Sequence, residues 1–193
     1  MKYNQYKSLS QSAKIFKMGR IEVICGPIFA GKTETLIGRL TEASNRVTCV
    51  EIFKTLLDNS YAQDLIMLHN SNSLPALSVW KAKDILSQLD FCDVVGIDKA
   101  KFFDDEFINC VNILANQGKS IVLSGLDMAY VGQPFDLVVR LMSVAEYVTK
   151  LHGICTQCGA AAFFSHRLSK PNEKILLGKR EDYEVLCRAC FYD

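Results

Sequence analysis

The chain has 193 residues, and its 22 lysines and arginines nearly balance its 21 aspartates and glutamates, so that the formal net charge is +1. Hydrophobic residues make up 49% of it and charged residues 22%, which are ordinary values for a globular protein. The near-neutral charge argues against a dominant nucleic-acid surface, and no apolar run approaches the roughly 18 residues of a membrane helix. We therefore expect a cytoplasmic protein that acts on small molecules, with neither nucleic acid nor membrane as a partner.

Residues 1–18 precede the first predicted strand and differ from the rest of the chain in composition. They contain four lysines and no acidic residue, because the first carboxylate of the chain is Glu22. This composition suits either a transit peptide or a disordered extension. The segment contains no arginine, and this favours the disordered extension.

An apolar run over residues 21–25 predicts the first strand, and a glycine-rich loop reading GPIFAGKT follows it. The loop satisfies every fixed position of the phosphate-binding pattern G-x-x-x-x-G-K-[ST]. A helix predicted from Thr33 to Leu40 completes the strand, loop and helix that this chemistry requires, which disfavours a fortuitous glycine-rich turn. We expect Lys32 to reach the β- and γ-phosphates of ATP and Thr33 to ligate Mg²⁺. The predicted ATP-binding residues are Gly26, Pro27, Ile28, Phe29, Ala30, Gly31, Lys32 and Thr33.

Strands and helices alternate beyond the loop. The patterns predict strands over 46–53, 74–79, 93–98 and 120–126, and helices over 83–89 and 104–116. This alternation indicates an α/β fold in which helices flank a parallel sheet and a nucleotide binds at the carboxyl ends of the strands.

The predicted strand over 93–98 ends in Asp98, which has the form of a Walker B carboxylate that holds Mg²⁺. Many buried strands end in an aspartate that caps a following helix, and this is the alternative function for Asp98. The phosphate-binding pattern upstream favours the magnesium role.

The character of the chain changes at Gly153, after which cysteine pairs replace the alternation. Two C-x-x-C pairs bring together four thiols that suit a closed, structural Zn²⁺ site. Disulfides and a redox-active pair are the alternatives, and a reducing cytosol disfavours the first. The remaining cysteines, Cys25, Cys49, Cys92 and Cys110, are expected to be core residues. The predicted zinc ligands are Cys155, Cys158, Cys187 and Cys190.

These motifs together resemble type II thymidine kinases over about residues 19–191. Besides the phosphate-binding loop and the cysteine pairs, the resemblance rests on Gly125-Leu126-Asp127, on Pro134-Phe135, and on Leu176-Leu177-Gly178 with Tyr183, which is similar to the family's lasso loop. It implies a P-loop NTPase-like domain over 19–150 and a small zinc-binding lasso domain over 151–193. It also implies ATP-dependent phosphorylation of thymidine for DNA synthesis and a homotetramer. The implied nucleoside-binding residues are Ile28, Phe102, Leu126, Tyr130, Phe135, Leu176, Gly178 and Tyr183.

The chain departs from the family at positions that carry catalysis. A glutamate general base follows the Walker B aspartate in the family, whereas Lys99 stands here, and Lys101 replaces the family's glutamine. Ser60 occupies the place of an arginine expected near the reacting phosphate. A lysine with a reference pKa of about 10.4 is a poor base beside phosphates. We therefore expect an impaired thymidine kinase, with an inactive nucleotide-binding homologue of regulatory role as the alternative and a nucleic-acid-dependent ATPase as the least favoured function.

Overall fold

A computed structural model describes residues 19–47, 49–56, 65–67, 73–89, 91–168 and 182–193, with only the backbone of 65–67 and 73. The predicted extension over 1–18 lies outside the described residues. In the described part of the chain, no helix combines the length and the apolar character that a bilayer span requires.

The main sheet has six strands, and every neighbouring pair runs parallel. The described strands are β1 (Arg20–Gly26), β2 (Val50–Thr55), β3 (Leu65–Met67), β4 (Ser73–Pro75), β5 (Leu77–Val79), β6 (Val94–Asp98), β7 (Ser120–Leu126), β8 (Tyr147–Lys150), β9 (Gly153–Ile154), β10 (Ala161–Ala162), β11 (Phe164–Arg167) and β12 (Tyr183–Leu186). The order in the main sheet is β5-β2-β6-β7-β1-β8. The loop after β1 and the end of β6 therefore lie on the same edge of the sheet, with β7 between them.

Helices cover both faces of this sheet. They are α1 (Lys32–Ser44), α2 (Ala82–Gln88), α3 (Phe107–Asn116) and α4 (Asp136–Val144), whereas a further helix, α5 (Arg188–Tyr192), packs on β11 and β12. On one face, Leu36 and Leu40 of α1 pack against sheet residues such as Ile24. On the other face, α2, α3 and α4 enclose a larger apolar core that includes Phe107 and Val95. This arrangement confirms the predicted α/β fold with a parallel sheet flanked by helices.

The C-terminal part consists of two small antiparallel ribbons, β9 with β10 and β11 with β12. Their buried residues form a separate apolar cluster around Ala162 and Val185, and this cluster also contains Cys155 and Cys187. Ile28 and Phe29 from the loop after β1 pack against it. The glycine-rich loop thus lies between the main sheet and the C-terminal ribbons.

Several predicted boundaries were wrong. The strand expected from residue 46 begins only at Val50, because α1 continues to Ser44 and the chain turns over the next residues. The single strand expected over 74–79 is two strands, since β4 pairs with β3 in a separate antiparallel ribbon while β5 joins the main sheet. The helix expected from residue 104 begins at Phe107, whose amide closes a turn on the carbonyl of Asp104. The segments α4 and β8 were not predicted.

Candidate nucleotide site and cysteine cluster

The glycine-rich loop connects β1 to α1 through backbone conformations that favour glycine. Gly26 has a φ of 142° and Gly31 a φ of 78°, and Phe29 adopts a positive φ of 59° as well. A Cβ atom on Gly26 would lie 2.5 Å from the carbonyl oxygen of Leu151. The first residue of the loop is therefore restricted to glycine by both its conformation and its neighbour. The Lys32 ammonium crosses the loop and donates to the Pro27 carbonyl over 2.5 Å.

Asp98 lies at the end of β6, buried beside the start of α1. The hydroxyl of Thr33 lies 3.4 Å and 3.3 Å from its two carboxylate oxygens, and the hydroxyl of Ser124 on β7 donates to one of them. Burial raises the pKa of Asp98, whereas the hydrogen bonds from Ser124 and Thr33 and the charge of Lys99 oppose this rise. Oxygen ligands of this kind suit Mg²⁺. Thr33 and Asp98 were predicted as a pair, and the structure brings them together.

A second buried carboxylate, Asp127, lies beyond the end of β7. Lys150 from β8 forms an ion pair with it, over 2.8 Å between Nζ and Oδ2. Burial lowers the pKa of Lys32 to about 8. The negative charges of Asp98, Asp127 and Glu34 raise this pKa and so offset part of the effect of burial. Lys101 lowers the pKa of Lys32 further, which places a second ammonium near the loop.

Two lysines, Lys99 and Lys101, lie within three residues after Asp98. Lys99 adopts a left-handed conformation with φ 55° and ψ 43°, and a short 3-10 turn over Ala100–Phe102 begins after it. The Lys101 ammonium lies 4.6 Å from the ring centroid of Phe102 and 5.0 Å from that of Phe135. The turn after β6 therefore carries two lysine side chains, of which Lys99 acts on Asp98 and Lys101 lies over two aromatic rings.

Four of the residues implied for nucleoside binding fall into two groups, each beside one cation. Phe102 and Phe135 share the contact with Lys101. Tyr130 and Tyr183 both lie near Arg167, a buried residue of β11 whose guanidinium is 5.6 Å from the Tyr130 ring centroid and which pairs with Tyr183 across the ribbon. Leu126 ends β7, where it is in register with Gly26, and Ile28 packs on the C-terminal cluster. Leu176, Gly178 and Ser60 lie outside the described residues.

The four paired cysteines meet in one place. The sulfur atoms of Cys155, Cys158, Cys187 and Cys190 all lie within 4.8 Å of one another, and those of Cys158 and Cys187 are 3.6 Å apart. All four are free thiols. Backbone hydrogen bonds, above all with Cys187, lower the pKa of Cys155 to about 6, whereas the neighbouring Cys187 thiol raises the pKa of Cys190 to about 12. Four thiols at this separation fit tetrahedral Zn²⁺ with bonds of about 2.3 Å.

Of the four cysteines expected in the core, Cys25, Cys92 and Cys110 are buried, whereas Cys49 is only partly buried. Cys49 and Cys92 precede the neighbouring strands β2 and β6, and their sulfur atoms lie near the carboxylate of Glu51. The Cys92 thiol donates to the carbonyl of Val94 over 2.9 Å. The expectation of core positions was thus correct for three of the four.

A hydrogen bond connects the glycine-rich loop to the C-terminal ribbons. The amide of Ile28 donates to the hydroxyl of Ser165 on β11 over 3.0 Å, and Ser165 is buried. Sequence reasoning did not identify Ser165, Ser124, Lys150 or Arg167 as residues of interest. A serine or a basic residue in a short strand has no distinguishing pattern, and only the folded chain brings these side chains to the loop.

The fold and these contacts define the class of the protein. It is an α/β protein with a P-loop sequence between β1 and α1 and a four-thiol cluster that fits zinc. The thymidine kinase family model matches residues 19–191. The chain belongs to the thymidine kinase family.

Curated relatives agree with the family match. A thymidine kinase of Rhodothermus sp. (strain ITI 518) is 45% identical over 174 residues, which cover 90% of this chain and 82% of the relative. A thymidine kinase of Bacteroides thetaiotaomicron is 43% identical over 175 residues, with 91% and 88% covered. That of Porphyromonas gingivalis (strain W83) is 38% identical over 186 residues, with 96% and 91% covered.

Proposed function

We propose that this chain is an ATP-dependent phosphotransferase that acts on the 5′-hydroxyl of thymidine and that its chemical step is impaired. Membership of the thymidine kinase family supports the reaction class. The observation that carries the proposal is the contact between Thr33 and Asp98, because it joins the end of the P-loop pattern to the carboxylate of β6. A phosphotransferase needs these two elements in one site to hold a nucleotide and its metal.

We assign the following roles around the phosphates. Backbone amides of the loop over 26–33 other than that of Ile28, which donates to Ser165, bind phosphate oxygens, and the Lys32 ammonium neutralises charge on the β- and γ-phosphates. Thr33 and Asp98 would hold Mg²⁺, which when bound neutralises the charge that develops on the transferred group. Ser124 orients Asp98 through its hydrogen bond. Cys155, Cys158, Cys187 and Cys190 would hold a structural Zn²⁺.

The nucleoside site is proposed from the family resemblance. Its described members lie on four parts of the molecule: the loop after β1, the turn after β6, the end of β7 with the segment that leads to α4, and strand β12. A division into a kinase domain over 19–150 and a zinc and lasso domain over 151–193 would place this site between the two. The resemblance further supports a homotetramer, and light scattering of the purified protein would test this oligomeric state. It also supports a location in the cytoplasm.

The impairment is proposed from the groups around Asp98. A hydroxyl acceptor requires a base that removes its proton, and a base typically contributes about 10²- to 10⁴-fold to the rate. Lys99 follows Asp98 at the position of the family's base, and phosphates favour its charged form. The inactive nucleotide-binding homologue is the second candidate, favoured by the same lysine.

The test is turnover of thymidine by the purified chain with Mg²⁺ and ATP, measured as thymidine monophosphate and ADP. We expect very slow turnover in the wild type. Lys99→Glu, alone or with Ser60→Arg, should raise it at least about tenfold, because a carboxylate then occupies the position of the base.

The matched control is Lys83→Glu, the same charge change at an exposed position of α2, which should leave turnover unchanged. Wild-type turnover already at about 1 to 10³ s⁻¹ would contradict the impairment. Binding of ATP without turnover in either Lys99 variant would favour the inactive homologue.

A further inference from the structure

A second group of metal-ligating side chains lies at the edge of the main sheet opposite to the P-loop. Cys49 and Cys92 precede the paired strands β2 and β6, and Glu51 is the second residue of β2. The two sulfur atoms and one carboxylate oxygen of Glu51 all lie within 4.8 Å of one another. The proposed nucleotide site lies at the carboxyl ends of these parallel strands. This group is therefore separate from it, at the amino ends.

The geometry of β2 brings the three side chains together. Cys49 and Glu51 are two residues apart, and side chains at this spacing lie on the same face of a strand. Cys49 packs against the larger apolar core on this face, and Cys92 is a buried member of that core. Cys49 and Glu51 are only partly buried, so that the group lies where the core borders the solvent.

Glu51 distinguishes this group from ordinary core packing. Its Oε2 atom is buried and has no hydrogen-bond partner among the residues that the structure describes. The Cys92 thiol does not satisfy it, because that thiol donates to the carbonyl of Val94 over 2.9 Å. Burying a carboxylate oxygen without a partner costs free energy, and a cation bound beside it would offset that cost.

The ligand atoms indicate which class of ion would bind. Two thiolates and one carboxylate oxygen suit a thiophilic divalent cation such as Zn²⁺, whereas Mg²⁺ and Ca²⁺ prefer oxygen ligands. Three anionic ligands and a divalent cation together carry a single net negative charge. Lys119 lies beside the group, where its ammonium donates to the carbonyl of Cys92 over 2.9 Å, and it would balance that charge.

We propose that Cys49, Glu51 and Cys92 form a second Zn²⁺ site, with a water molecule as the fourth ligand. Two zinc–sulfur bonds and one zinc–oxygen bond form, and the two thiol protons pass to the solvent. With two thiolates instead of four, this site should bind Zn²⁺ more weakly than the four-thiol cluster. The purified protein should therefore carry zinc at the four-thiol cluster, and the second site should fill when Zn²⁺ is supplied. The inference does not depend on the proposed kinase function.

Equilibrium dialysis of the full chain against excess Zn²⁺ measures the number of bound ions. We expect about two ions per wild-type chain and about one in Cys92→Ser. Glu51→Gln keeps the size of the side chain and should raise the Kd of the second ion at least about tenfold, since even residues behind metal ligands contribute about 10- to 100-fold to affinity.

Two matched controls should keep the second ion with its wild-type Kd. Cys110→Ser removes another buried thiol of the same apolar core. Glu42→Gln removes a carboxylate from an exposed position of α1. Together they separate loss of the site from a general effect of removing a thiol or a negative charge.

Cobalt provides a second readout, because its absorption depends on the ligands. Co²⁺ added after zinc has filled the four-thiol cluster should produce the near-ultraviolet absorption of cobalt bound to thiolate, and Cys92→Ser should lose it. One zinc ion per wild-type chain in excess Zn²⁺ would overturn the inference. A second ion that Glu51→Gln binds as tightly as the wild type would also overturn it, and this comparison decides the matter even if Cys92→Ser does not fold.

Discussion

At the scale of single residues, the partly buried Lys32 and the buried Asp98 illustrate charged groups in opposite situations. Hydrogen bonds from Ser124 and Thr33 support the ionised form of Asp98 against the effect of burial. Lys32 donates to one carbonyl of its own loop, and burial dominates its titration. The ammonium of Lys32 is therefore the group of this site whose charge is most easily lost when the pH rises.

This pKa predicts how nucleotide binding depends on pH. Because burial lowers the pKa of Lys32 to about 8, the free protein loses the ammonium above that pH, and its affinity for ATP should fall by up to about tenfold per pH unit. Calorimetric titration between pH 7 and pH 9.5 measures the effect. Lys32→Ala should bind weakly with a flat profile, and Lys83→Ala should keep the wild-type profile. A flat wild-type profile would show that Lys32 stays charged throughout.

The same shift affects stability with the opposite sign. Between about pH 8 and the ordinary lysine pKa of 10.5, the unfolded chain binds a proton at this position that the native chain does not bind. The free energy of unfolding therefore receives a contribution from Lys32 that rises with pH in this window. Raising the pH above about 8 thus increases the contribution of Lys32 to the free energy of unfolding, but it removes the positive charge with which Lys32 would bind phosphate.

At the scale of elements, the turn from β1 into the glycine-rich loop depends on close contact between two backbones. Gly26 combines a φ of 142° with a neighbouring carbonyl of Leu151, which follows β8. Gly38 on α1 has nothing within 4 Å of its Cβ position. A methyl group would therefore clash with a neighbouring backbone at Gly26, whereas it would meet no other atom at Gly38.

Substitution by alanine should separate these two glycines. Gly26→Ala should lower the free energy of unfolding by about 1 to 3 kcal/mol, because the new methyl group meets a carbonyl in a strained conformation. Gly38→Ala should raise it by about 0.5 to 1 kcal/mol, because alanine favours a helix interior. Urea unfolding of both variants measures the difference. Equal effects of the two substitutions would contradict the close approach at Gly26.

Local patterns predicted some of these elements and could not predict others. The strand over 120–126 was correct to the residue, because an apolar run between Gly118 and Asp127 has clear ends. The strand β8 alternates poorly, and its exposed Tyr147 and Val148 give no sign of burial, so that only pairing with β1 identifies it. The P-loop and the cysteine pairs were recognisable because their chemistry fixes residue types at short spacing. Contacts such as that of Ser165 depend on distant parts of the chain.

The contact between Ser165 and the glycine-rich loop predicts an effect on ATP binding. Ser165→Ala removes the acceptor for the partly buried Ile28 amide, and leaving a fully buried amide unsatisfied costs about 1 to 3 kcal/mol, so that the cost here should lie towards the lower end. We expect the Kd for ATP to rise about three- to tenfold, with zinc content unchanged. Ser165→Thr should restore binding because it keeps the hydroxyl.

A matched control lies in the same part of the molecule. Thr156 also uses its hydroxyl within the C-terminal ribbons, where it donates to Glu184 over 2.7 Å at the surface. Thr156→Ala should therefore leave the Kd for ATP unchanged. If both alanine variants weaken ATP binding equally, the cause is a general loosening of the ribbons and not the contact with Ile28.

At the scale of the whole molecule, the residues that the structure describes pack in three apolar clusters, and the glycine-rich loop adjoins the smallest of them. That cluster contains two of the four paired cysteines and packs against Ile28 and Phe29. With so few buried side chains, its stability should depend on a metal that joins β9, β10 and β12. The state of the cysteine cluster should therefore affect a nucleotide site built on the main sheet.

Loss of the metal should consequently weaken nucleotide binding as well as the C-terminal ribbons. We expect the purified protein to hold about one Zn²⁺ per chain, because four thiols within 4.8 Å form a closed tetrahedral site. Cys187→Ser should lose this zinc and raise the Kd for ATP. Cys49→Ser, which removes a partly buried thiol at the start of β2, should keep both at wild-type values. Elemental analysis and calorimetry measure the two quantities on the same samples. Zinc-free wild-type protein with disulfides among the four cysteines would contradict the zinc site, and an unchanged Kd in zinc-free Cys187→Ser would show that the ribbons support the loop without metal.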